Sequence, residues 1–143
     1  MTLEKEAASQ ETTPERLKEI AFKSHEINMI IAANSKTPKD VLKKLAESQN
    51  NEIRKTVTSN PNTPPEILLN LGKDYPAKLL ANPVFNLMLL ANPNLLGDMP
   101  NDTLLSILKL SDVRESFIIW VLNHCNIMFY TEDHNWAGSD ELA

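Results

Sequence analysis

The sequence predicts an all-α protein built as a short solenoid of helical repeats, about three and a half of them followed by a C-terminal capping helix. Three observations predict it: a Thr-Pro frame that returns at regular spacing, apolar residues at helical spacing after each frame, and little glycine. The chain has 3 Gly against 9 Pro, whereas a strand-rich sandwich with many turns needs glycine. Helices joined by proline-containing connections fit this composition better.

The same frame opens three successive segments, at residues 13–17, 37–41 and 63–67, with separations of 24 and 26 residues. Residues 99–102 continue it in degraded form. Each frame predicts a helix start, because Thr at the N-cap accepts a bond from a free amide and Pro suits the first helical position. The first of these predicted caps is Thr13, and the other two are Thr37 and Thr63.

In the second and third segments, apolar or small residues follow the threonine at the fourth, fifth, eighth and ninth positions. In the second segment they are Val41, Leu42, Leu45 and Ala46. This spacing is typical of one buried helix face. The first segment keeps Phe22 on that face but has Lys18 at the fifth position, as expected if an end repeat turns part of the face to water.

A shorter helical piece follows each of these helices and ends at an asparagine. Asn tolerates a left-handed backbone and a following Pro pushes its predecessor out of the helical region, so Asn-Pro stops a helix. Asn34 fills the same place without a following Pro. The predicted corner residues are Asn34, Asn60, Asn82 and Asn92.

Residues 53–57 and 59–68, Ile-Arg-Lys-Thr-Val and Ser-Asn-Pro-Asn-Thr-Pro-Pro-Glu-Ile-Leu, resemble the leucine-rich repeat variant family, and the likeness extends over about residues 13–110. The resemblance implies alternating α and 3-10 helices stacked in a right-handed superhelix, which serves as a scaffold for interactions without a catalytic residue pattern. Some relatives carry a cysteine-rich cluster module, which Cys125 alone cannot supply.

The chain divides into a polar N-terminal tail or weak cap at residues 1–12, repeats at 13–110, and a C-terminal helix with a cap or tail at 111–143. Residues 112–124 predict a helix that is apolar almost all round and needs burial on more than one side. Residues 126–143 either cap it or form an exposed apolar segment. In the second case we expect a homodimer through this end.

Composition indicates a cytoplasmic protein. Cys125 is the one cysteine, which predicts a reducing compartment. The first 16 residues include acids and no apolar core, unlike a secretory signal, and the longest apolar stretch is far too short to span a membrane. Residues 79–143 carry 2 Lys/Arg against 8 Asp/Glu, whereas residues 1–78 carry 12 against 11.

Two surfaces are candidate binding sites. Trp and Tyr are favoured at protein interfaces, and the C-terminal aromatic residues are Trp120, Phe129, Tyr130 and Trp136. The alternative is a nucleic-acid surface around residues 36–55, formed by Lys36, Lys39, Lys43, Lys44, Arg54 and Lys55. A formal charge of −5 and the acids between these lysines make nucleic acid the less favoured partner.

The sequence predicts no catalytic residue, no cofactor and no metal site. The metal-capable side chains that cluster in sequence are His124, Cys125, Glu132, Asp133 and His134. Adjacent residues on a helix diverge by about 100°, so His124 and Cys125 do not share a face. An enzyme or metal protein at this cluster is therefore the third hypothesis, after a non-catalytic scaffold for a protein partner of unknown identity and a nucleic-acid-binding repeat.

Overall fold

The computed structural model describes residues 2–92, 94–110, 129–130 and 136–137. Residues 2–110, where described, contain helices and no strand, so the predicted all-α class is confirmed. The helices are α1 (Leu3–Ala8), α2 (Pro14–Ile20), α3 (His25–Ala33), α4 (Lys39–Leu45), α5 (Asn51–Ser59), α6 (Pro65–Leu71), α7 (Pro76–Ala81), α8 (Pro83–Ala91), α9 (Leu95–Asp98) and α10 (Asn101–Leu108). Two short strands, β1 (Phe129–Tyr130) and β2 (Trp136–Ala137), pair antiparallel.

Helix α2 starts as the Thr-Pro frame predicts. The hydroxyl of Thr13 accepts a bond of 3.2 Å from the amide of Arg16, and Pro14 occupies the first helical position. An extended N-cap residue with a side-chain acceptor satisfies one of the free amides of the first turn.

Helices α4 and α6 start one residue later than the frame predicts. Their N-cap residues are Pro38 and Pro64, which have extended backbones and no side chain that can accept a bond. Thr37 and Thr63 are therefore not N-caps, which corrects the prediction for these two residues. Each is almost completely buried, and its hydroxyl bonds to the preceding helix instead.

Alternate helices pack on one another: α1 against α3, α3 against α5, and α5 against α7. Helices α2, α4 and α6 connect them, and α10 packs against α6 and α7. Each connecting helix, together with α10, buries two aliphatic residues three positions apart. These pairs are Leu17 with Ile20, Leu42 with Leu45, Leu68 with Leu71, and Leu104 with Ile107.

The N-terminal residues, expected to be a polar tail or weak cap, contain a packed helix. Ala7 on α1 is completely buried in the core cluster that also contains Ile31. Composition alone suggested a tail because residues 1–12 are mostly polar. The helix still packs, because the small side chain of Ala7 is buried and few other apolar residues are needed.

The family resemblance implies 3-10 helices in alternation, but the helical segments of the described residues are α-helices. Helices α3 and α5 have nine residues each. Their first bonds already join residues four apart, from Asn28 to Ser24 and from Arg54 to Asn50, which is the α pattern.

Asn82 ends α7 and also caps α8, since its Oδ1 accepts a bond of 3.0 Å from the amide of Val84. After Asn34 and Asn60 the connection to the next helix is four residues long, residues 35–38 and 61–64, whereas α8 and α9 lie between Asn82 and α10. In the part of the chain that is described, none of the helices has the length and apolar character needed to cross a bilayer.

The predicted C-terminal helix at residues 112–124 lies outside the described residues. Of the predicted cap or tail, only the backbone pairing of β1 with β2 is described, with Tyr130 opposite Trp136.

Candidate interaction surfaces

Asn60, at the C-cap of α5, bonds to the end of α3 and to the turn that follows α5. Its side-chain amide donates to the carbonyl oxygens of Ala32 and Asn34 at 2.7 and 2.9 Å. Its Oδ1 accepts from the amide of Asn62 at 2.8 Å. Because Asn60 is buried, these bonds satisfy carbonyls at the end of α3 that water cannot reach.

The same arrangement occurs at the ends of α3 and α7. The side-chain amide of Asn34 donates to the carbonyls of Ala7 and Ser9 at 2.8 and 3.1 Å. The side-chain amide of Asn82 donates to the carbonyls of Thr58 and Asn60 at 2.9 and 3.1 Å. We call Asn34, Asn60 and Asn82 the asparagine ladder; it connects α1, α3, α5 and α7.

The two ends of the ladder differ from its middle. Ser9 takes the asparagine position after α1, where its hydroxyl accepts from the amide of Glu11 at 3.1 Å. Serine keeps the acceptor and lacks the side-chain amide donor, and α1 is the first helix of the described residues. Asn92, predicted as a fourth corner residue, is exposed and its Oδ1 accepts from Asn94 at 3.1 Å.

The buried threonines add a second set of bonds. The hydroxyls of Thr37 and Thr63 each donate at 2.6 Å, to the carbonyls of Ile31 and Val57. In the first segment the hydroxyl that makes this bond belongs to Thr12, which donates to Glu6 at 2.6 Å.

The frame of the first segment is therefore one residue earlier than the Thr-Pro match suggests. Leu17 then corresponds to the buried Leu42, and Lys18 corresponds to the exposed Lys43. The lysine at the fifth position is a consequence of the shifted frame, which corrects the interpretation that an end repeat turns its apolar face to water.

The buried polar side chains of the described residues all bond to backbone carbonyls. Besides the ladder and the two threonines, Thr58 donates to Arg54 at 2.9 Å and Thr103 donates to Leu69 at 2.7 Å. Thr58 bonds within α5 and the other groups connect separate segments of the chain, so the buried polar groups are occupied and a binding function in this part of the chain falls to surface residues.

The predicted basic surface separates into two parts. Lys36, Lys39, Lys43 and Lys44 are exposed on α4 and the turn before it. The other two, Arg54 and Lys55, lie on α5 and contact neighbouring groups. Arg54 donates to the carbonyl of Ser48 at 2.5 Å and to the side chain of Asn51, and the ammonium of Lys55 lies 3.5 Å from the carboxylate of Glu52.

Two further ion pairs connect neighbouring helices. Arg16 on α2 contacts Glu6 on α1 at 2.6 Å and Glu19 on its own helix at 3.0 Å. Lys18 on α2 contacts Asp40 on α4 at 2.5 Å. The hydrogen bond from Arg16 lowers the pKa of Glu6 below its ordinary value, and the bond from Lys18 does the same to the pKa of Asp40.

Phe22, expected on the buried face of the first helix, lies on the surface with 49% of its area exposed. Its φ of 68° makes it the one non-glycine residue with positive φ among those described. Its amide donates to Oδ1 of Asn28 at 2.8 Å, and the ammonium of Lys44 lies 5.8 Å from its ring centroid. The sequence signal that was missed is Ser24, a helix-capping residue that places Phe22 in the turn.

Helix α8 carries the most exposed leucines of the described residues. Leu87 is 63% exposed and Leu90 is 81% exposed, while Phe85 on the opposite face is buried. The helix, Pro-Val-Phe-Asn-Leu-Met-Leu-Leu-Ala, has no charged residue. This composition was the sequence signal for an exposed apolar face, because a helix that is apolar all round needs neighbours on both of its faces to be fully buried.

An open cleft of about 330 Å³ lies between α1 and α3. It is lined by Ala8, Gln10, Met29, Ile30, Ala33 and Asn34. Its walls are chiefly small or aliphatic, with Met29 and Ile30 half-buried.

Of the predicted C-terminal site residues, Trp120, His124 and Cys125 lie outside the described residues, as do Glu132, Asp133 and His134. Phe129, Tyr130 and Trp136 are described through the backbone of β1 and β2 alone. Across the described residues, no three His, Cys, Asp or Glu side chains are grouped to hold a metal ion. Compared with known proteins, the chain matches no family model, no curated protein and no solved structure.

Proposed function

We propose that this protein is a non-catalytic scaffold for protein-protein interaction, a short right-handed solenoid of about three and a half helical repeats that works in the cytoplasm. The successive packing of α1, α3, α5 and α7 through the asparagine ladder supports a repeat architecture. The resemblance of residues 53–68 to the leucine-rich repeat variant family is consistent with it.

The observation that carries the proposal is the exposure of large apolar side chains on α8 and on the turn between α2 and α3, in a fold held together by buried hydrogen bonds. Leu87, Leu90 and Phe22 each expose about half of their area or more. Rigid elements present such side chains without much loss of conformational entropy on binding, which favours their use at interfaces. The buried polar groups are meanwhile occupied by backbone bonds.

Affinity capture from a lysate, with the retained proteins quantified by mass spectrometry, tests the proposal. The variant replaces Leu87 and Leu90 with Ser, and the matched control replaces Leu105, a 48% exposed leucine on α10, with Ser. We expect the wild type and the control to retain a defined protein that the double variant loses. Identical protein sets for all three chains would contradict the proposal.

Nucleic-acid binding is the second candidate, because Lys36, Lys39, Lys43 and Lys44 are exposed around the start of α4. Binding of a single-stranded RNA oligonucleotide that weakens steeply with salt, and that fails when these lysines are replaced with Gln, would favour this candidate over the scaffold.

A further inference from the structure

Phe22 has a backbone conformation that its side chain disfavours. A bulky residue at positive φ is strained, and such strain persists where the surroundings impose it. Here the amide of Phe22 is held by Asn28 at 2.8 Å, and Ser24 caps α3 by accepting from Ile27 at 3.1 Å. Glycine or asparagine would adopt the same turn at less cost.

The position is also unusual for its exposed ring. The corresponding residues after α4 and α6 are Glu47 and Lys73, both charged and exposed. Phe22 is exposed by 49% at the same place. About half of this residue thus stays uncovered although its backbone is strained, a combination expected where a residue serves binding.

One ammonium group lies close to the ring. The ammonium of Lys44 lies 5.8 Å from the ring centroid, and Lys23 is its exposed neighbour in sequence. Lys44 forms no ion pair with the described residues. Residues 14–47 carry seven Lys/Arg against five Asp/Glu in a chain whose formal charge is −5, so this region is the basic part of an acidic protein.

We infer that Phe22, Lys23 and Lys44, which we call the Phe22 patch, dock an acidic peptide segment of a partner protein that carries an aromatic or aliphatic side chain beside its carboxylates. The apolar side chain packs on the exposed part of the Phe22 ring, and a carboxylate pairs with the ammonium of Lys44. The same stretch of sequence carries Glu19 and Asp40, and such acids disfavour a continuous phosphate backbone more than a single carboxylate that pairs with Lys44.

The inference rests on the proposed scaffold function and names the partner chemistry of one surface. A fluorescein-labelled peptide of glutamates with two central phenylalanines is the probe, and binding to the full chain is followed by fluorescence anisotropy and by amide NMR shifts. Phe22→Gly removes the ring and suits the positive φ, so this variant stays folded with an unchanged or higher Tm. We expect it to weaken binding by on the order of tenfold.

Lys44→Gln should weaken binding several-fold and reduce its dependence on salt, whereas Leu105→Ala should bind like the wild type. Shifts should centre on the amides of Phe22 and Lys44. Equal affinity of Phe22→Gly, shifts elsewhere, or tighter binding of the same peptide with Lys for Glu or of a single-stranded RNA would each overturn the inference. If it falls while Leu87 and Leu90 are still needed for partner capture, the scaffold proposal stands.

Discussion

The side-chain amide of Asn60, at the C-cap of α5, donates to the backbone carbonyl of Asn34 at 2.9 Å, and Asn34 occupies the same position at the C-cap of α3. Asn82 repeats the relationship by donating to the carbonyl of Asn60 at 3.1 Å. Asn34 and Asn60 thus each donate through the side chain to the preceding layer and accept through the backbone carbonyl from the following ladder residue. Because that carbonyl remains when the side chain is replaced, a substitution should remove the bonds to the preceding layer and leave the acceptor for the following one.

Asn60→Ala should lower the free energy of unfolding by about 3 kcal/mol, because it removes two buried hydrogen bonds and one partly buried bond, and leaves the carbonyls of Ala32 and Asn34 without these donors. Urea denaturation followed by circular dichroism measures the change. Asn92→Ala is the matched control, since Asn92 is exposed, and should cost less than about 1 kcal/mol. Equal losses for the two variants would show that the ladder is not a source of stability.

Gly72 lies where α6 meets α7 and α10. A Cβ at this position would overlap Cδ2 of Leu79 and lie 2.9 Å from Cγ2 of Thr103. Gly72→Ala should therefore destabilise the fold by about 1–3 kcal/mol through overpacking. At Gly97, on α9, a Cβ meets nothing within 4 Å, so Gly97→Ala should leave Tm unchanged or raise it. A Gly72→Ala protein as stable as the wild type would contradict this close packing.

The hydroxyl of Thr63 should contribute stability through its 2.6 Å bond to the carbonyl of Val57. Thr63→Val keeps the shape of the side chain and removes the donor, so we expect a loss of about 1 kcal/mol. Thr56→Val is the comparison, because Thr56 bonds within its own helix, to Glu52 at 2.7 Å, and this change should be close to neutral. Chemical denaturation of both variants distinguishes the two kinds of threonine.

The ion pair of Glu6 with Arg16 should make stability depend on acid pH. The pKa of Glu6 is lower in the folded chain, chiefly through its hydrogen bond with Arg16, so the charged carboxylate favours folding above the unfolded value of about 4.3. This contribution disappears as the pH falls through the lowered folded pKa. The Tm difference between wild type and Glu6→Gln should be present at neutral pH and absent in strong acid.

High salt should reduce that Tm difference, since both side chains reach solvent. Glu47→Gln is the control, because Glu47 is exposed and forms no ion pair among the described residues. If the Glu6→Gln difference persisted in strong acid, its cause would be packing and not the ion pair.

Much of the helical pattern could be predicted from local sequence rules. The stops at Asn34, Asn60 and Asn82 follow from residues that end a helix by their own backbone preferences, and the structure places each of them at a helix C-cap. The cap at Thr13 follows in the same way. The frame of the first segment was misplaced because Thr12 and Thr13 adjoin, and only packing against α1 selects Thr12 as the counterpart of Thr37.

The candidate surfaces were largely missed. Phe22 has the apolar character of a core residue, and α8 has the composition of a buried helix. The cap at Ser24 indicates a turn at Phe22 and the uncharged α8 indicates two faces to cover, but neither signal says which side chain stays exposed. Exposure depends on which neighbouring helices are present to cover a face, and that is a property of the whole arrangement.

The sequence by itself determined the all-α class, the approximate helix ends and the asparagines at the corners, because caps, prolines and apolar spacing act within a few residues of the chain. Only the tertiary structure decided what those asparagines and threonines bond to, since their partners lie 22 to 28 residues away for the ladder. It also decided which apolar side chains remain on the surface, because burial depends on contacts between helices that are distant in sequence.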